Sequence, residues 1–100
     1  MNQGMMKKLQ QMQKEMQEAQ KQLEASIFYG QAGGKTVEVE FNGAKEMQNI
    51  KISEDAFDLP EDLEMLQDTI TAAINDCMKK IEDETQETMG KFTQGMPGMF

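Results

Sequence analysis

The first segment of the chain spaces its apolar residues as a helix does. They recur at alternating steps of four and three positions: Met5, Leu9, Met12, Met16, Ala19 and Leu23. This is the a/d spacing of a coiled-coil seam, and it predicts one helix over residues 4–25. At a rise of about 1.5 Å per residue the helix is roughly 33 Å long. Because a domain of 100 residues is too small to cover it, we expect part of the helix to project.

The middle of the chain changes to a period of two. β-favouring residues precede Gly30, and the next apolar residues alternate with polar ones: Val37, Val39 and Phe41, then Ile50 and Ile52. Asn42-Gly43 between these runs is a strong hairpin signal. We therefore expect a three-stranded antiparallel meander over about 26–31, 35–41 and 45–53, with one apolar and one polar face. Its two open edges call for a helix, a partner or another copy of the sheet.

A second long helix is predicted over about 60–89. Asp58 and Glu61 suggest a capping box, Pro60 suits a first helical turn, and Gly90 is expected to end the helix before a mobile tail over 90–100. The chain is thus predicted to be one α+β domain with the order α-β-β-β-α. Its core and subunit contacts are expected from nine apolar residues of the sheet and this helix: Val37, Val39, Phe41, Ile50, Ile52, Leu63, Leu66, Ile70 and Ile74.

Composition argues for partnering and against catalysis. With 38% hydrophobic residues and no tryptophan, a single chain has little to bury. Histidine is absent, which removes the usual general base and the commonest metal ligand. Cys77, the one cysteine, falls on an apolar helix stripe and is interpreted as core; it also favours a reducing compartment. No apolar run reaches the roughly 18 residues of a membrane span, so a cytoplasmic protein is expected.

Two candidate ligand sites fail on spacing. Gly34-Lys35-Thr36 resembles the end of a phosphate-binding loop, but Tyr29 stands where that motif needs glycine, and a strand follows instead of a helix. The carboxylates of residues 54–68 lack the spacing of a calcium loop and suit a solvated helix N-terminus better. We therefore predict a protein that is not an enzyme, with no cofactor, no metal and no small-molecule substrate.

Charge is divided unequally along the chain. The net charge is −8, and residues 53–100 hold twelve acids and three lysines, whereas the first helix is slightly basic. Lys7, Lys14 and Lys21 are seven apart and lie opposite the seam. Lys7 and Lys8 have no acid three or four positions away. A solvated face would explain this row, but its lysines are also the first candidates to contact a polyanion.

Several blocks along the chain resemble the YbaB/EbfC family of bacterial nucleoid-associated DNA-binding proteins. They are Met5-Met6-Lys7-Lys8-Leu9-Gln10-Gln11-Met12-Gln13, Gly30-Gln31-Ala32-Gly33-Gly34, Phe41-Asn42-Gly43, Pro60-Glu61-Asp62-Leu63-Glu64-Met65-Leu66, Ala72-Ala73-Ile74-Asn75-Asp76, Met89-Gly90-Lys91 and Met96-Pro97-Gly98-Met99-Phe100. The resemblance implies an α-β-β-β-α homodimer with two helical arms placed like tweezers around duplex DNA. It also implies a role in nucleoid organisation and gene expression.

The predicted function is therefore homodimeric binding of double-stranded DNA in the nucleoid, through backbone phosphates and with weak sequence preference. The candidate contacts are five lysines: Lys7, Lys8, Lys14, Lys21 and Lys91. A holdase-like chaperone with methionine-rich arms and a protein-assembly adaptor remain alternatives. Salt separates DNA binding from holdase activity, because it weakens polyanion binding but not apolar binding.

Overall fold

The computed structural model describes residues 3–93. In chain order it contains α1 (Gln3–Ala25), β1 (Ile27–Ala32), β2 (Val37–Asn42), β3 (Met47–Ile52), a 3₁₀ turn (Glu54–Ala56) and α2 (Leu63–Thr93). The strands form one antiparallel sheet in the order β1-β2-β3. The α+β class and the order α-β-β-β-α predicted from the sequence are confirmed.

The sheet has one apolar and one polar face, as its period of two predicted. Val37, Val39 and Phe41 of β2 are buried, while Glu38 and Glu40 between them are only half-buried on the opposite face. Residues paired across an antiparallel sheet share a face. The core face therefore extends from β2 to its partners in β1 and β3.

α2 covers β1 and β2 at unusually short range because one strand position lacks a side chain. Ala73, Cys77 and Ile81 are fully buried on this face of α2. A Cβ atom added to Gly30 would lie 2.6 Å from Cys77 Cβ and would also collide with Ala73 O. Glycine at this position therefore sets how closely the helix approaches the sheet.

β3 lies beyond the cover of α2. Ile50 and Ile52 pair with Val39 and Val37, so they are on the core face, yet they are 39% and 38% exposed. Leu63 is 48% exposed. Of the nine apolar residues predicted to form core and subunit contacts, six are buried or half-buried against the core in one chain: Val37, Val39, Phe41, Leu66, Ile70 and Ile74. The predicted roles of the other three in subunit contact stay predictions.

The β2–β3 connection differs from a two-residue Asn-Gly turn. Four residues separate the strands, the Lys45 N–H donates to Asn42 O at 2.9 Å, and Lys45, not Gly43, has a positive φ of 66°. Gly43 is required for a different reason: a Cβ there would collide with the Leu23 carbonyl at the end of α1. The hairpin is where the sequence predicts it, but Gly43 is needed for the close contact with α1 and not for the turn.

Both ends of α2 differ from expectation. The helix begins at Leu63, because residues 58–62 form a separate turn in which the Asp62 carboxylate accepts the Asp58 N–H at 2.9 Å. Asp58 and Glu61 therefore precede the helix and do not cap it.

Gly90 does not end α2, and residues 90–93 are helical. The half-buried Met89 and Phe92 beside α1 offset the roughly 1 kcal/mol that an interior glycine costs. The rest of the predicted tail, 94–100, lies outside the described residues.

The close approach of α2 predicts opposite effects for two glycine-to-alanine changes. Gly30→Ala should destabilise the fold by about 3 kcal/mol or more, because the new methyl group meets backbone and Cβ atoms that cannot rotate away. Gly90→Ala is the matched control: a Cβ there has no neighbour within 4 Å, and it should stabilise the helix by about 0.5–1 kcal/mol. Urea unfolding measures both. Equal stability of the two variants would contradict the packing described.

Candidate nucleic-acid interface

α1 is buried only near its C-terminal end. Leu23 is 7% exposed, Met12, Met16 and Ala19 are half-buried, and every residue from 3 to 11 is exposed. In the described part of the chain, α1 packs against α2 and β2 alone. The chain measures 69 × 25 × 16 Å along its principal axes. α1 is therefore an arm that extends from the body of the fold. The length of the helix predicted this projection.

Four of the five candidate lysines lie on this arm. Lys7, Lys14 and Lys21 follow one exposed line of the helix, and Lys8 adjoins it. Among residues 3–93 none of these four has a carboxylate within 4.0 Å, and the ion pair formed there joins Lys80 to Asp76 at 3.4 Å. The four lysines thus form an exposed basic face without a direct ion pair, which we call the lysine face.

Lys91 is separate from the lysine face. It was assigned to a tail but lies in the last turn of α2. There it borders a surface depression shared with Gln22 and Ser26, near the junction of α1 and β1. It is exposed, so it adds positive charge at the base of the arm and not along the arm.

Lys80 and Asp76 have a structural role that sequence reasoning missed. Lys80 follows Asp76 by four residues, a spacing that indicates an ion pair within one helix. Lys80 does pair with Asp76, but its Nζ also donates to Tyr29 O at 3.0 Å. Asp76 Oδ2 accepts the Gln31 N–H at 3.0 Å. These two side chains of α2 thus satisfy backbone groups on the outer edge of β1.

The same contacts explain the electrostatics of Asp76. The hydrogen bond from the Gln31 backbone lowers the pKa of the Asp76 carboxyl, and Lys80 adds to this effect. The bonded positions are 45 and 51 residues apart in the chain. A helical charge pattern shows only neighbours three or four residues away, so no local signal could have revealed them.

Cys77 is a core residue, as its position on the apolar stripe predicted. It is fully buried, its Sγ donates to Phe28 O at 3.4 Å, and burial raises the pKa of its thiol. A thiol held neutral under the sheet is a poor nucleophile.

The glycine-rich segment after β1 is a turn. Gly33, Gly34 and Lys35 all have positive φ, and β2 follows directly at Val37. The first turns of α2 lie beside Gly33, but they bring Glu64 and Asp68 to this place, and these carboxylates disfavour a phosphate. Across the described ranges, no three His, Cys, Asp or Glu side chains gather as a metal site. Within the same residues, neither helix is long and apolar enough to span a membrane.

The sequence of the chain matches a known protein family over nearly its whole length. Residues 1–96 match the model of the YbaB/EbfC DNA-binding family. The chain belongs to the YbaB/EbfC family. This is a nucleoid-associated DNA-binding family and not an enzyme family, which agrees with the resemblance seen in the sequence.

Relatives named nucleoid-associated proteins span almost the whole YbaB/EbfC chain. One from Listeria monocytogenes is 56% identical over 97% of this chain and 93% of its own length. Others from Enterococcus faecalis and Ligilactobacillus salivarius are 50% and 46% identical, over 96% and 97% of this chain and 91% and 92% of their own. The crystal structure of the uncharacterized protein HP0035 from Helicobacter pylori has a TM-score of 0.74 at 27% identity, covering 91% of this chain and 96% of that one.

The cap on β1 predicts a pH-dependent effect of Asp76→Asn. Because the pKa of Asp76 is lowered on folding, its stabilisation is present above the unfolded pKa and is lost as pH falls through the folded value. The variant should therefore be less stable than the native protein at pH 7, and the difference should shrink below about pH 4. Urea midpoints at several pH values test this. A difference that stays constant with pH would exclude a role for the carboxylate charge.

Proposed function

We propose that this YbaB/EbfC protein binds double-stranded DNA as a homodimer in the nucleoid, with the lysine face of α1 against backbone phosphates. The observation that supports this most directly is the row of exposed lysines on a projecting arm, none of which has a carboxylate of residues 3–93 within 4.0 Å. The names of its relatives support association with the nucleoid. Effects on nucleoid organisation and gene expression would follow from this binding.

The separation of charge favours the arm over the rest of the surface. Among residues 3–14 there are three lysines and no acid, whereas residues 53–78 hold eight acids and no lysine. A polyanion is attracted by the local field and not by the net charge of −8. The acidic region therefore directs DNA towards the arm.

The side-chain types on the arm favour phosphate contact without base selection. The chain has ten lysines and no arginine, and arginine is the residue that most often recognises guanine by paired hydrogen bonds. A lysine ammonium acts as a point charge on the backbone, which positions a protein but carries little sequence information. Weak sequence preference follows.

The proposed dimer uses the uncovered side of the sheet. α2 caps the outer edge of β1 through Asp76 and Lys80. Within residues 3–93 the outer edge of β3 has no neighbouring strand, and Ile50 and Ile52 are exposed on its core face. Leu63 adds exposed apolar surface nearby in the chain. A second copy placed here would bury these side chains, and it would give the assembly two arms.

Salt dependence tests the DNA contact. If about half of the eight arm lysines of a dimer reach phosphates, the slope of log affinity against log salt should be roughly −3 to −5. Lys7→Gln with Lys14→Gln removes four of the eight and should roughly halve the slope while weakening binding to unrelated duplexes equally. Fluorescence anisotropy at several salt concentrations measures both quantities.

The matched control changes the same charge elsewhere. Lys35→Gln with Lys51→Gln removes two exposed lysines per chain, one from the β1–β2 turn and one from β3, and should leave the slope nearly unchanged. If both pairs flatten the slope equally, the lysine face is not the contact surface. Binding that does not weaken with salt would favour a holdase.

Subunit contact through β3 predicts that Ile52→Glu produces folded monomers. The side chain is 38% exposed in one chain, so the charge can reach solvent there, but it would be buried and unpaired in the dimer. Lys51→Glu, on the opposite face of the same strand, should stay dimeric. Sedimentation velocity reports the assembly, and circular dichroism reports the fold. A dimeric Ile52→Glu protein would exclude this interface.

A further inference from the structure

The apolar seam of α1 continues beyond the part that packs on the body. Ala19 and Leu23 lie beside the last turns of α2, whereas Met5, Met6 and Leu9 are 54%, 48% and 45% exposed. Met5 and Leu9 belong to the same row as the buried residues. The arm thus presents an apolar stripe on the side opposite Lys7 and Lys14, and phosphate contact by the lysine face does not account for it.

The charges beside this stripe form a self-complementary pattern. In heptad notation Leu9 and Met16 are at a, Met5 and Met12 are at d, and two opposite charges, Lys8 and Glu15, occupy successive g positions. Both are exposed. In an antiparallel pair of helices, g faces g of the partner, whereas in a parallel pair g faces e. The e positions next to this segment hold Met6, Gln13 and Gln20 and carry no charge.

Only one orientation and register joins these charges favourably. A parallel pair would place Lys8 beside Gln13 and Glu15 beside Gln20. In an antiparallel pair, the register that places Leu9 against Met12 of the second copy brings Lys8 against Glu15 twice, by symmetry. A shift of one heptad in either direction places Lys8 against Lys8 or Glu15 against Glu15. Like charges at these positions disfavour the alternatives.

We propose that the exposed stripe of α1 is a second self-association surface, on which α1 of another copy packs antiparallel, with Leu9 against Met12 and Lys8 against Glu15. The contact covers Met5, Met6 and Leu9. It leaves Lys7, Lys14 and Lys21 on the outside of the helix pair. Arm pairing and phosphate contact by these three lysines are therefore compatible.

The contact is small, and its strength depends on concentration. The contact spans about two heptads of seam, in which Met12 and Met16 are already half-buried in one chain. This length is short for a stable coiled coil. DNA raises the local concentration of arms that lie near one another, and weak contacts then act together. Arms from separate molecules would pair along one duplex or between two, so that bound copies are linked to one another.

A charge exchange tests the register without DNA and independently of the proposed function. Lys8→Glu and Glu15→Lys should each weaken arm pairing about tenfold, since each replaces two attractive contacts by two repulsive ones. The double variant Lys8→Glu/Glu15→Lys restores the opposite charges and should return association to the native level. Sedimentation equilibrium up to high protein concentration measures the association constants.

The matched control is Lys7→Glu, one residue away and opposite the seam. It makes the same charge change as Lys8→Glu and should leave arm pairing unchanged. If Lys7→Glu and Lys8→Glu weaken association equally, general repulsion and not the stated register is responsible. If the double variant associates no better than the single ones, the antiparallel contact is wrong.

Cross-linking distinguishes the orientations directly. The register also brings Met5 against Met16 of the second copy, while identical residues lie about 16 Å apart along the axis. Mixing Met5→Cys protein with tagged Met16→Cys protein should therefore yield a disulfide between the two, since a disulfide needs Cα atoms within about 7 Å. Met5→Cys alone should not cross-link. Efficient cross-linking of Met5→Cys with itself would indicate a parallel pair and overturn the proposal.

Discussion

The arrangement of the whole fold depends on the close approach between α2 and β1. Gly30 allows the backbone of the helix to lie against the strand, with Ala73 and Cys77 directly above it. A larger residue would move the helix outward and separate Ile81 from the sheet. Since seven hydrophobic residues make up the buried core of the described chain, few other contacts could compensate for such a shift.

The position of α2 over β1 also determines what remains exposed. A helix is narrower than three strands, so β3 keeps apolar residues on the core face without cover. The same helix continues about 18 Å past Ile81 to its end at Thr93 and lies beside α1 at Ala19 and Leu23. Residues 3–11 of α1 extend into solvent with lysines on one side and methionines on the other. The body thus offers surfaces for partners in two places.

The class and order of elements could be predicted from the sequence because each element has a clear period. Apolar residues spaced by three and four positions predicted α1. The alternation of Val37, Val39 and Phe41 with polar residues predicted the central strand. The lysine face followed from the same periodicity. Details that depend on tertiary contact could not be predicted in this way. Gly43 was interpreted as a turn residue, although its role is to fit against the Leu23 carbonyl. Gly90 was expected to end α2, but the helix continues to Thr93 because Met89 and Phe92 pack beside α1.

The exposure of Ile50 and Ile52 could not be predicted for a related reason. Their alternation shows which face of β3 they occupy but not how far a helix from elsewhere in the chain extends over it. Asp76 and Lys80 are a similar case, because both looked like partners within one helix. Their bonds to Gln31 and Tyr29 arise only after α2 is placed against β1.

The bonds from Asp76 and Lys80 to β1 make the two edges of the sheet different. This difference limits how a second copy of the chain can add a strand to the sheet. A strand arriving at β1 would find the Gln31 N–H and the Tyr29 carbonyl already occupied, whereas no strand among residues 3–93 pairs with the outer edge of β3. A sheet that accepts a neighbour on one side only cannot grow into a fibril by repeated edge addition. Two copies joined through β3 would each turn a capped strand outward, so sheet pairing would stop at two.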